Sequence, residues 1–127
     1  MLTNPTTSVI HHVQIAIPAG GEAAARAFYV LLVGLAEIPK PATLAARGGL
    51  WLDSGSIGLH LGIDPGFQPA TKAHVAFTVA RLEGPRERLV TAGCPIVGDE
   101  ELPGFERFST ADPFGNRVEF LRPDGEG

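Results

Sequence analysis

Hydrophobic and polar residues alternate along most of this chain with a period of two, and in two places the period lengthens to that of a helix. Residues 9–17 (VIHHVQIAI) put Val13, Ile15 and Ile17 on one face and His12, Gln14 and Ala16 on the other, which predicts a strand ended by Pro18 and the glycines after it. Residues 22–33 carry Ala24, Ala27, Phe28, Leu31 and Leu32 at i, i+3, i+4 spacing. That is an amphipathic helix with Glu22 at its positive end and Gly34 in place to close it. Short strands follow at 35–38 and 49–53, separated by prolines and by a loop or helical turn at 43–47. Ser54-Gly55 is a hairpin signal, and 56–63 is the next strand, with Ile57, Leu59 and Leu61 inward and Gly58, His60 and Gly62 opposite.

After a polar loop at 64–72 the order repeats. Residues 73–79 alternate as a strand, and 85–92 form a helix with Pro85 in its first turn and Gly93 beyond its end. Strands follow at 94–97, 105–111 and 116–121, with an acidic loop at 98–104 between the first two. Asp112-Pro113-Phe114-Gly115-Asn116 ahead of the last strand is turn chemistry: Pro fixes φ, Gly and Asn accept positive φ, and Asp can bond its own backbone. In that strand Val118 and Phe120 share one face and Arg117 and Glu119 the other.

Strand–helix–strand–strand–strand thus occurs twice. The sequence echoes it faintly, His12-Val13-x-Ile15 against His74-Val75-x-Phe77, and Ile57-Gly58-Leu59 against Val118-Glu119-Phe120. This predicts an α+β fold of two βαβββ modules, 9–63 and 73–121, with a tail at 1–8, a linker at 64–72 and a tail at 122–127. Each module would pack its helix on the Val/Ile/Leu/Phe face of a curved, barrel-like mixed sheet. The opposite faces would meet across a cleft holding His12, Gln14, Gly58, His60, His74, Thr78, Arg117 and Glu119.

Composition narrows the function without naming it. At 127 residues and 44% hydrophobic content the chain makes one soluble domain with a real core. A net charge of −4 with scattered Lys and Arg supplies no field for nucleic acid or an anionic membrane surface. The single Cys94 excludes an internal disulfide, and the first residues lack a signal peptide, so a cytoplasmic protein is expected. Cys94 reads as a half-buried thiol, His11 as a strand-start residue, and residues 98–104 as a solvated loop. Taken singly, His12 and His74 suit satisfied core histidines, and Glu119 suits a surface ion pair with Arg117. Three histidines and a carboxylate on one concave face are nevertheless not what a generic solvated sheet face would choose. Trp51 and Phe108 could line the cleft, although aromatics in a small domain default to core.

These stretches resemble the vicinal oxygen chelate superfamily, which contains glyoxalase I, bleomycin- and fosfomycin-resistance proteins and extradiol dioxygenases. The carriers are His12-Val13-x-Ile15, Phe28-Tyr29 with Gly34-Leu35, Ala73-His74-Val75-Ala76-Phe77, and Asp112-Pro113-Phe114-Gly115-Asn116 before Glu119. They span nearly the whole chain. The resemblance implies a divalent metal (Fe, Mn, Ni or Zn) held by residues of the first and fourth strands of each module. These are His12, His74 and Glu119, with Glu119 also the catalytic proton acceptor.

Position 58 departs from the pattern, since Gly58 stands where glyoxalase-like members place Glu or Gln. Three alternatives follow. His60, on the same face, reaches the metal. Or His12, His74 and Glu119 act as a 2-His-1-carboxylate set with open positions. Or no metal binds, and the cleft sequesters a small molecule as antibiotic-resistance members do. Extradiol members also place a tyrosine in the strand before the last, and residues 105–111 contain none. The implied function is a metal-dependent enzyme, lyase/isomerase or dioxygenase in type, acting on a small oxygenated molecule. Its substrate-binding side chains would be His60, Gln14, Arg117, Trp51 and Phe108. A homodimer is expected, because pairing would cover the exposed sheet edges.

Overall fold

The computed structural model describes residues 6–98 and 100–125. The first half comprises β1 (His12–Ile17), α1 (Glu22–Arg26), β2 (Ala36–Ile38), a short α2 (Ala42–Ala45), β3 (Leu50–Asp53) and β4 (Gly58–Ile63). The second comprises β5 (Val75–Thr78), α3 (Glu83–Thr91), β6 (Val97–Gly98), β7 (Phe105–Ala111) and β8 (Arg117–Pro123). Each half is a four-stranded mixed sheet, ordered β1-β4-β3-β2 and β5-β8-β7-β6. The outer two pairings are antiparallel, and the crossover strand lies parallel to the last strand of its half. Among the described residues no strand ladder joins the two sheets, so they do not close into a barrel.

The first helix departs from the expected stripe. After Arg26 it widens into a π-helix over Ala27–Leu32, where the Val33 amide bonds the Phe28 carbonyl five residues back. The side chains that enter the core are Ala25, Phe28 and Tyr29, whereas Leu31 stays 71% exposed and Ala24 and Ala27 face out. Widening the turn rotates the face that follows it, which a sum over 3.6-residue turns does not anticipate. Gly34, at φ +94°, closes this segment as expected.

Other differences lie at element ends. The first strand begins at His12, leaving Val9 and Ile10 exposed. The strand expected at 94–97 is only Val97–Gly98, since Pro95 has no amide to give a ladder. The last strand runs on to Pro123, through what had been expected as tail.

One hydrophobic cluster spans both halves. It includes Ile17, Phe28, Tyr29, Leu52, Leu59 and Leu61 from the first and Leu89, Phe108, Val118 and Phe120 from the second. Each such side chain contributes about 1.5–3 kcal/mol when fully buried.

The turn before β8 ties the halves together. Asp112 Oδ1 accepts from the amides of Phe114 and Asn116, each at 2.9 Å, and Oδ2 accepts from Tyr29 Oη at 2.7 Å and Asn116 Nδ2 at 2.9 Å. Asn116 Nδ2 also reaches the Ala16 carbonyl of β1, and its Oδ1 accepts from the Ala70 amide in the linker. Gly115 holds φ +93°, as the turn requires.

Candidate functional site

The outer face of the first sheet is built around His60. Gly58 and Gly62 flank it on the same face of β4, and side chains from β1 fill the space they leave. A Cβ at position 58 would stand 3.2 Å from His12 Cβ and 3.4 Å from His60 Nε2, and one at position 62 would meet the Gln14 amide at 2.9 Å. The result is a stack of three rings. His12 lies over His60 with centroids 4.2 Å apart, and His60 over Trp51 at 4.3 Å, each pair within 12° of parallel. His11 Nδ1 and His12 Nδ1 are 2.9 Å apart and share a hydrogen bond. These residues line a cavity of about 620 Å³ with Ile38, Lys40, Arg47 and Asp53 at its sides. Burial, and then His12, His11 and Lys40 beside it, push the His60 imidazole below its ordinary value.

The outer face of the second sheet carries Glu119, whose side chain is only 5% exposed. His74, just before β5, approaches it with Nε2 2.8 Å from Oε1. Arg107 of β7 donates from Nη1 to Oε2 at 3.2 Å. Arg107 is itself braced, because its Nε and Nη2 donate to the Glu100 carbonyl at 3.1 and 2.8 Å. His74 Nδ1 donates to the Lys72 carbonyl, which turns Nε2 toward Glu119 Oε1.

Strand register changes the equivalence suggested by the repeat. On the first sheet Gln14 stands opposite His60 and Trp51 opposite His60 on the other side. On the second, Ala76 and Ser109 flank Glu119 in the same way. Leu59 and Leu61 match Val118 and Phe120 as the buried neighbours. The first-half counterpart of Glu119 is therefore His60, and not Gly58, two residues earlier. The two sheets present like pairs: His12 with His60, and His74 with Glu119.

Of the anticipated cleft, His12, Gln14, Gly58, His60 and Trp51 share the cavity, while His74, Arg117 and Glu119 lie on the other sheet and do not line it. Phe108 is not a lining residue. It is fully buried, stacked on Phe120 at 5.4 Å with the Arg86 guanidinium over its ring. The strand alternation places it on the core side, opposite Arg107 and Ser109. Arg117 donates to Ser109 Oγ, not to Glu119. Arg107, the actual partner of Glu119, was legible in the alternation of residues 105–111 but was not singled out. Tyr29 is far from either face, held by Asp112; burial and that carboxylate raise its phenol well above the ordinary value.

The donor set fits a cation by halves. His74 Nε2 and Glu119 Oε1 are hydrogen-bonded at 2.8 Å, and would open to roughly 3.4 Å to take two bonds of about 2.0–2.2 Å on one tetrahedral ion. Two imidazoles, His12 and His60, stand together on the other sheet. Among the described residues no three His, Cys, Asp or Glu side chains form a group able to hold a metal within one chain.

No protein-family profile and no curated protein matches the chain. Among solved structures it resembles a Bacillus anthracis protein described as of the glyoxalase family, with 40% identity, 95% of this chain and 99% of that chain covered, and a TM-score of 0.89. Lactoylglutathione lyase from Agrobacterium tumefaciens has the same fold at 20% identity, over 92% of this chain and 95% of that one, with a TM-score of 0.70. So does TnmS3, an antibiotic binding protein from Streptomyces sp. CB03234, at 20% identity, 93% and 99% coverage and a TM-score of 0.70.

Proposed function

This chain belongs to the glyoxalase family of the vicinal oxygen chelate superfamily, and on that premise we propose that it is a divalent-metal-dependent enzyme of the lyase/isomerase type. The metal, one of Zn, Ni, Mn or Fe, would be held by His12, His60, His74 and Glu119, with the His12/His60 pair of one chain facing the His74/Glu119 pair of a second copy. The observation that carries this is the strand register. It gives His60 the position of Glu119, so each sheet offers two donors at the same places. His12 and Gln14 are exposed on their sheet, as a face awaiting a cover would be.

A bound cation would act as a Lewis acid, holding two vicinal oxygens of a small oxygenated substrate and favouring proton removal beside a carbonyl. The chain's own residues do the rest. Trp51 supports His60 from one side and Gly58 leaves His12 room on the other. Arg107 fixes Oε2 of Glu119, which leaves Oε1 to take and return a proton with His74 Nε2 opposite it. A dioxygenase is the weaker fit, since β7 carries no tyrosine and Tyr29 is spent on Asp112.

Metal stoichiometry of mixed chains is the test. A His12→Ala/His60→Ala chain and a His74→Ala/Glu119→Ala chain should each bind no metal, and mixing them should restore one ion per mixed dimer, which wild type would hold twice over. Binding by wild type without rescue in the mixture would mean a site within one chain. No binding by wild type would leave a metal-free small-molecule binder. One feature favours that second reading: His74, Arg107 and Glu119 already satisfy one another without a cation.

A further inference from the structure

The chain is acidic overall, with 14 Asp and Glu against 10 Lys and Arg. The cavity on the first sheet has the opposite balance. Lys40 and Arg47 line it together with three imidazoles, and Asp53 is its only acidic wall. Asp53 is turned to its own hairpin, where Oδ1 accepts from the Gly55 amide. Glu22 accepts from the Gly49 amide at 3.0 Å, and that bond, with Lys40 among the neighbouring charges, holds its carboxyl below the ordinary value. Lys40 donates to the Gly48 carbonyl, which directs the ammonium along the cavity wall and leaves two of its three hydrogens unspent. Arg47 has no carboxylate partner among the described residues. Ile38, Leu44 and Ile63 supply apolar wall in the same cavity.

We infer that this cavity receives a small anion, a carboxylate or phosphate ester with an apolar body, whose charge is held by Arg47 and Lys40 while its body lies against Ile38, Leu44 and Ile63. The guanidinium fork matches either oxyanion in a bidentate contact, and Lys40 adds a point charge beside it. The two cations and the His12/His60 pair line the same cavity and would orient the ligand together. The inference deepens the proposed function, resting on the cavity being the substrate side of that site, and it names the charge of the substrate. It does not depend on the second sheet.

Trp51 is the only tryptophan in the chain and lines the cavity, so its fluorescence reports occupancy directly. The full-length protein is titrated, as purified and after chelation, with benzoate, phenyl phosphate and the neutral benzamide. At least one of the two anions should quench Trp51 saturably and bind at least about tenfold tighter than benzamide, and which one does so tells carboxylate from phosphate. Arg47→Gln should weaken the anion about tenfold and leave benzamide unchanged, as expected when a charge-assisted contact is lost.

Arg81→Gln, which removes a cation outside the cavity lining, should leave anion binding to the chelated protein intact. Equal binding of benzamide, an unaffected Arg47→Gln protein with a native near-ultraviolet spectrum, or no quenching by either anion would overturn the inference. Anion binding that persists in a protein unable to take up metal would sink the metal reading alone.

Discussion

The Tyr29 hydroxyl donates to Asp112 Oδ2 at 2.7 Å, linking the first helical segment to a turn 83 residues later. Both groups are buried, so the bond is made where water cannot replace it. Tyr29→Phe keeps the ring in the core and deletes only the donor. The expected loss is about 1.5–3 kcal/mol, the usual range for a hydrogen bond to a charged group. Urea denaturation should show a lower midpoint at unchanged slope, and an unchanged midpoint would show that the clasp contributes no stability.

Arg107 stands close to where a cation on Glu119 would sit. Removing it has two opposed effects on metal affinity. Losing the group that orients a ligand costs about 10–100-fold. Losing a positive charge about 5 Å from a divalent ion relieves roughly 2–7 kcal/mol at an effective dielectric between about 80 and 20. The first effect is about 1.4–2.7 kcal/mol and the second exceeds it over most of its range, so Arg107→Gln should tighten Zn binding, by about tenfold or more at mid-range. Calorimetric titration of the variant against wild type checks this, and weaker binding would make orientation the dominant role of Arg107.

His60 gives the fold a pH dependence of known sign. Its imidazole titrates lower in the folded protein than the ordinary value, because burial and the cationic neighbourhood disfavour its charged form. Its neutral form therefore contributes stability that is present above about pH 6.5, the unfolded value, and is lost as pH falls through the folded value. Wild type should lose more unfolding free energy between about pH 7.5 and pH 5 than His60→Phe, which keeps the stack without the titration. A variant that loses as much would contradict the assigned sign.

Gly58 sits in a tight space. Its backbone angle is ordinary, and what a side chain there would meet is His12 Cβ and His60 Nε2. Gly58→Glu should cost about 1–3 kcal/mol through overpacking and should disturb the ring stack. Near-ultraviolet circular dichroism of the lone Trp51 is the direct readout. An unaltered spectrum with unaltered stability would show that the stack yields freely.

Period-two alternation made most of the strands legible, because one face of each sheet is buried and the other is not. Val118 and Phe120 are core residues as their spacing says, and Asp112 to Asn116 is the turn its residues describe. Alternation assigns a face but not a partner. The pairing of Glu119 with Arg107 in place of Arg117 depends on side-chain reach across β7 and β8. Equating Glu119 with Gly58 slipped the repeat by two residues, a shift that keeps every side chain on its face and so leaves no trace in the pattern. The ladder settles it, since His60 and Glu119 occupy like places between like neighbours. The π-helical segment was illegible for a related reason: Ala27 to Leu32 is as apolar inside as outside, and only the packed Tyr29 shows which way it turned.

The clasp at Asp112 and Asn116 exists once, although the strand order exists twice. In the first half the corresponding hairpin at Asp53 to Ile57 bonds only to itself, through Ser54 and Gly55. A fragment ending before the linker would keep Tyr29 and the Ala16 carbonyl but lose the acceptor of one and the donor of the other. The halves are thus no longer interchangeable copies of one unit. If they descend from a doubled ancestor, the second has become the keystone of the first.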